Sequence, residues 1–160
     1  MKQASLALWL KLMILGVGLC VLVIYAVVVP VLGQTVAVAE HGEFDYCFWP
    51  WLGFIWATGL PIGAALVLAW RIAGNIGADR SFSRDNGRLL RHIAVLAVAD
   101  AAFFFLGNIV YWLLNLSHPS IVLFSLMVVF VGIAIAVGAA ALSRLATRAA
   151  ELQEQSDFTV

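Results

Sequence analysis

Three stretches of the chain, residues 12–39, 46–70 and 119–143, contain no Asp, Glu, Lys or Arg, and a fourth, 93–116, contains only Asp100. About 20 apolar residues at 1.5 Å rise cross roughly 30 Å of hydrocarbon, so each stretch is long enough to span a bilayer. The pattern predicts four transmembrane helices near 9–32, 50–71, 92–116 and 120–143, with a tail at 144–160. The fold class is all-α: a polytopic four-helix bundle forming a single domain over 1–160. Between the third and fourth spans, Asn115-Leu116-Ser117-His118-Pro119-Ser120 reads as a turn, with Pro119 unable to continue the third helix and Ser120 placed to cap the fourth.

Composition narrows the reading. Of 160 residues, 64% are hydrophobic and 11% charged, against about 45–50% and 25% in soluble domains. Five of six tryptophans sit near a predicted boundary: Trp9 and Trp70 beside Lys11 and Arg71, with Trp49, Trp51 and Trp112 at the other surface. An amphipathic indole is favoured there. The net charge of zero hides an asymmetry. All nine basic residues fall at the start, in the second loop and after the fourth span, while Glu40, Glu43 and Asp45 lie opposite. The positive-inside rule then places both termini in the cytoplasm of a bacterial inner membrane. Ala37-Val38-Ala39 resembles a signal-peptidase site, but the preceding apolar run exceeds the 7–15 residues of a signal h-region, and we expect the first helix to be retained.

Chemistry-bearing clusters are few. Cys20 lies mid-span and Cys47 at the outer edge, at depths that disfavour a bridge; Cys20 reads as a small packing element. His41, His92 and His118 share no site, and the acidic Glu40–Asp45 loop reads as solvated. No nucleophile–base pair, phosphate loop or metal spacing is visible, so neither an enzyme nor a cofactor nor a metal is expected.

Two intramembrane patterns stand out. Asp100 is the one acidic residue inside a span, where a charge costs roughly 2.5–3.5 kcal/mol on insertion scales. It must pair, face water or carry a proton. Asp100, Gly107, Asn108, Tyr111 and Asn115 fall within an arc of roughly 100°, predicting one polar face turned into the bundle. That face is either interhelical glue, at about 0.6 kcal/mol per bond, or a path for a proton or polar ligand. On the fourth helix Ser125, Gly132, Ala136, Ala139 and Ser143 form a seam of small residues suited to close packing. Gly59 and Gly63, and Gly16 and Cys20, form weaker small-x-x-x-small pairs, and Pro61 is expected to kink the second span. Dimerisation stays open.

The second loop and tail carry the remaining features. Ser83 is a good N-cap with Asp85 in the first turn, so the third helix should start near Arg84 and project below the membrane. Arg84, Arg88 and Arg91 then share a face, with Arg80 just before them, facing anionic headgroups or a protein partner. After the fourth span Leu142, Leu145, Ala149 and Leu152 continue an apolar seam, predicting helix to about Glu151. The acidic tail either frays or docks on the loop arginines. The end, Asp157-Phe158-Thr159-Val160, alternates polar and apolar as an added strand or groove-binding terminus would.

Gly77-x-x-x-x-Phe82-Ser83-x-x-Asn86-x-x-x-Leu90-Arg91-x-Ile93, with Glu154-x-x-Asp157-Phe158-Thr159-Val160, resembles an uncharacterised family of small four-helix bacterial membrane proteins classed as a domain of unknown function. Phe158 and Val160 stand where Leu and Ile are usual in that family. The resemblance implies a genomic neighbour of helix-turn-helix type, which the membrane protein would tether or restrain; it implies no catalytic residues. The expected function is therefore a non-enzymatic regulatory protein binding a cytosolic partner through loop 72–92 and the tail, with Arg80, Arg84, Arg88, Arg91, Asp157, Phe158 and Val160 in contact, and no direct nucleic-acid binding. The alternative is a small transporter or channel subunit, possible as a homo-oligomer, using Asp100, Asn108, Tyr111 and Asn115.

Overall fold

The structure, a computed structural model, describes residues 3–39, 45–117 and 119–157, the side chains of 36–39, 45–46 and 157 excepted. Helix α1 (Gln3–Val23) passes through a π-helical turn (Ile24–Val28) into α2 (Val29–Ala39), and the three together make the first span. Helices α3 (Asp45–Gly77), α4 (Arg84–Leu113) and α5 (Pro119–Asp157) follow. Four helices are thus long and apolar enough to cross a membrane, and among the described residues there is no strand.

The bundle is open. α5 packs on α4, α4 on α3, and α3 on the first span, but among the described residues no Cα of the first span comes within 8 Å of α4 or α5. The closest seam joins α4 and α5. Ala136, Ala139, Ala146 and Ala150 of α5 and Ala94 and Ala101 of α4 are buried, and alanine makes up most of the buried hydrophobic set among the described residues. A Cβ built on Gly132 would stand 3.2 Å from Ala101 Cβ. Small residues allow this backbone approach, which supplies association through van der Waals contact when lipid provides no hydrophobic drive.

The irregular points have local causes. Pro30 has no N–H, and its ring would clash with the carbonyl of Ala26 in a regular helix. The turn before it widens instead, the Val29 N–H reaching back to Ile24 O. α3 continues as helix through both Pro50 and Pro61. α4 opens on Ser83, extended at φ −123°, whose Oγ accepts from the Asn86 N–H at 3.2 Å.

α3 and α4 each end in a left-handed cap on a residue other than glycine. Asp79 (φ 57°) and Asn115 (φ 56°) occupy it. Around Asn115 the Leu116 N–H bonds Tyr111 O and the Asn115 N–H bonds Trp112 O, both at 2.9 Å, satisfying carbonyls that would otherwise be orphaned.

Several sequence expectations are corrected. The third helix ends at Leu113, not 116, because Asn115 tolerates the left-handed region; Asn115 is an exposed cap and leaves the polar face. α5 stays helical past Glu151, to Asp157. Cys20 is exposed, and among the described residues nothing lies within 4 Å of a Cβ at Gly16, so that pair forms no close-packed seam there. At Gly59 the Tyr25 ring stands 3.2 Å from a built Cβ, while at Gly63 nothing lies within 4 Å among the described residues.

Candidate functional site

Two places gather polar groups. At the basic end, the first turns of α4 lie against the last third of α5, beyond the apolar stretches. Asn86 organises the turn between α3 and α4. It is 2% exposed, and its Oδ1 accepts from Asn75 Nδ2 at 2.7 Å. Its own Nδ2 donates to Arg80 O (3.1 Å) and Ser81 O (3.0 Å). One side chain therefore fixes the end of α3, the connecting turn and the start of α4.

From this anchor α4 meets α5. The Ser143 hydroxyl donates to Gly87 O at 2.6 Å, and a Cβ at Gly87 would collide with Thr147 Oγ1. Further out Arg84 Nη2 pairs with Glu154 Oε2 at 2.7 Å, both side chains about half exposed. The acidic tail thus docks on a loop arginine rather than fraying, as one of the two expected outcomes. An exposed pair of this kind contributes about 0.2–1 kcal/mol, so it orients the tail more than it stabilises it.

A shallow depression lined by Phe82, Ser83, Arg84, Asp85, Ala150, Gln153 and Glu154, about 280 Å³, lies beside the pair. Phe82 is exposed on its rim. Arg80, Arg88 and Arg91 make no ion pair among the described residues. Lys11, one helix away, sits with Nζ 5.3 Å from the centre of the Trp70 ring, a contact suited to an interfacial position. The Asp157 side chain, Phe158 and Val160 lie outside the described residues.

The second place is at mid-membrane. The π turn frees Tyr25 O from its helical partner, and Trp56 Nε1 of α3 donates to it at 3.0 Å. The Tyr25 hydroxyl lies 2.7 Å from Thr58 Oγ1. Thr58 spends its one hydroxyl proton on Ile55 O at 2.7 Å, so Tyr25 is the donor of the pair. Tyr25 also lies within electrostatic range of Asp100. Asp100 Oδ1 is buried and has no hydrogen-bond partner among the described residues.

The predicted polar face is therefore divided. Asn108 is buried, but its Nδ2 bonds Phe104 O of its own helix at 2.8 Å rather than a neighbouring helix. Tyr111 joins an aromatic cluster around Phe54, whose ring is 5.6 Å away. Gly107 makes room for Phe54, which a Cβ would strike. Tyr25, Thr58 and Asn75 escaped the sequence reading, and Asn86 entered it only as part of the resemblance motif, with no role. Pro30 inside a span, and the Asn86 of the Phe-Ser-x-x-Asn motif, were the signals that could have found them. Among the described residues no three His, Cys, Asp or Glu side chains gather to hold a metal ion.

Residues 32–160 match the family described as "Protein of unknown function (DUF2975)". The "Uncharacterized membrane protein YoaS" of Bacillus subtilis (strain 168) is 29% identical over 109 residues, covering 67% of this chain and 68% of that protein. No solved structure matches.

Proposed function

The chain belongs to the DUF2975 family of proteins of unknown function, and we propose that this multi-pass membrane protein is a non-enzymatic regulator that docks a cytosolic partner on its basic end. The observation that carries the reading is the packed pair formed there by α4 and α5. Ser143 on Gly87 joins the two helices at the end of the fourth apolar stretch, and Arg84 on Glu154 orients them beyond it. Such a platform is of little use to a protein whose work lies wholly within lipid.

By the positive-inside rule the basic end faces the cytoplasm of a bacterial inner membrane, with both termini on that side. Arg80, Arg88 and Arg91, which make no ion pair among the described residues, serve anionic headgroups at about 1 kcal/mol each and steer an acidic protein surface toward the platform. Phe82, Phe158 and Val160 supply apolar anchors. The mechanism is sequestration: the partner is held at the membrane while bound and acts when released. A small helix-turn-helix regulator fits this role, and the membrane protein itself binds no nucleic acid.

The test is co-purification of such a regulator with the full chain and with a chain ending before Ser156. The reading expects capture by the first and loss with the second. Equal capture by both contradicts a role for the tail.

A second reading, a transporter or channel subunit, draws on Asp100 Oδ1, which is buried and has no hydrogen-bond partner among the described residues. It expects Asp100→Asn to abolish proton or ion flux in proteoliposomes. Undiminished flux removes it.

A further inference from the structure

α5 carries a second seam that the chain itself leaves uncovered. Ile121, Phe124, Val128, Val131, Ile135, Gly138, Leu142, Leu145, Ala149 and Leu152 follow one another at spacings of three and four without a break. This is a heptad pattern sustained for more than four repeats, the signature of a helix that packs against another along its length. The face is distinct from the one that meets α4, which is built from Ser125, Gly132, Ala139 and Ala146.

In lipid any apolar face is acceptable, so the membrane half of the seam would say little alone. The half beyond Arg144 is different. Leu145 and Leu152 are the large apolar side chains of that extension within the described residues, both lie on the seam, and both are exposed. Lipid tails cannot cover them there, and α4 does not.

We propose that a second copy of this chain covers the seam, pairing α5 with α5 as a parallel two-stranded coiled coil that runs from the membrane into the aqueous extension. Three observations select that occupant. First, two copies inserted with the same topology present α5 in parallel, so each seam position meets its own counterpart. Second, the residue types suit two strands: β-branched Ile121, Val128 and Ile135 occupy one seam position of their repeats, and Leu145 and Leu152 the other. Gly138, with nothing within 4 Å of a Cβ, lets the backbones approach at the point between. Third, the area is sufficient. The eight large seam side chains are 42–67% exposed and offer on the order of 900 Å² per copy, against about 800 Å² per partner in a standard interface. The flanking positions in the extension, Ala146, Arg148 and Gln153, set no like charges opposite each other, since Arg148 of one copy faces Gln153 of the next.

The dimer requires only the fold and does not depend on a cytosolic partner. The test therefore uses the full chain alone, reconstituted in liposomes. In a Cys20→Ser, Cys47→Ser background, single cysteines are placed at the seam (Leu145→Cys, Leu152→Cys) and one residue off it (Arg144→Cys, Glu151→Cys). Oxidation should link seam cysteines into dimers several-fold more than the off-seam controls, since facing seam positions lie within disulfide reach. A Leu145→Asp, Leu152→Asp chain should lose half its mass by light scattering in detergent with its helicity retained. Equal linking at all four positions, or a monomeric mass for the native chain, overturns the proposal. In native membranes, a seam cysteine that links to a different protein instead of a second copy does so too.

Discussion

Asn86 holds three parts of the basic end at once: Oδ1 receives Asn75, and Nδ2 serves the carbonyls of Arg80 and Ser81. Removing it leaves buried groups without partners, at about 1–3 kcal/mol for each group so exposed. Asn86→Ala is expected to lower stability by about 3 kcal/mol, read as an earlier midpoint in denaturant titration of the purified protein in detergent. Asn86→Asp, which sets a carboxylate oxygen against the carbonyls of Arg80 and Ser81 in a buried site, should cost at least as much. Asn115 invites a subtler prediction. Because a side chain with a Cβ branch is costly in the left-handed region, Asn115→Val should cost about 1 kcal/mol in the same assay, and Asn115→Gly should be neutral or better. Caps of this sort are hard to see beforehand. The Asn-Leu-Ser-His-Pro run announces a turn, but which residue takes positive φ depends on where the helix stops.

At the scale of elements, the first span is pinned to α3 at its weakest point. The π turn before Pro30 gives up a regular bond, Trp56 of the neighbouring helix takes up the freed Tyr25 carbonyl, and the Tyr25 hydroxyl adds a side-chain bond to Thr58. Tyr25→Phe removes the hydroxyl and should cost about 0.6 kcal/mol, the usual value for an interhelical bond in lipid. A Tyr25→Phe, Thr58→Val chain should cost little more than either single change, because both delete the same bond. Arg84→Ala should stay within about 1 kcal/mol of the native stability, as exposed ion pairs do. The Ser83 cap and the helix projecting from it were legible because capping is local chemistry. The α4–α5 seam was legible because small residues at helical spacing have few other uses. The π turn was not, since a proline in a span can be met by a kink, a widened turn or neither, and tertiary partners decide among them. The Asp100 face failed in part for the same reason: Asn108 found an acceptor on its own helix, which periodicity alone does not forbid.

The whole molecule is an open array of long helices with a charge gradient along its axis. In the sequence all nine basic residues fall in the segments expected at one end and Glu40, Glu43 and Asp45 in those expected at the other, so the chain suggests an orientation where it suggests no partner chemistry. Cysteine labelling with a membrane-impermeant reagent in intact cells is expected to spare Ser83→Cys and Ser156→Cys and to modify Gly42→Cys. The reverse pattern would move the platform to the outer face and remove any cytosolic partner. Docking of a cytosolic protein on the packed end of α4 and α5 remains the proposal on which these features converge. The most direct measurement is photo-cross-linking in native membranes from a benzoylphenylalanine in place of Phe82. A discrete adduct with one cytosolic protein is expected, lost when Arg84, Arg88 and Arg91 are changed together to Glu. Adducts with lipid alone, or a protein adduct indifferent to that charge reversal, would contradict it.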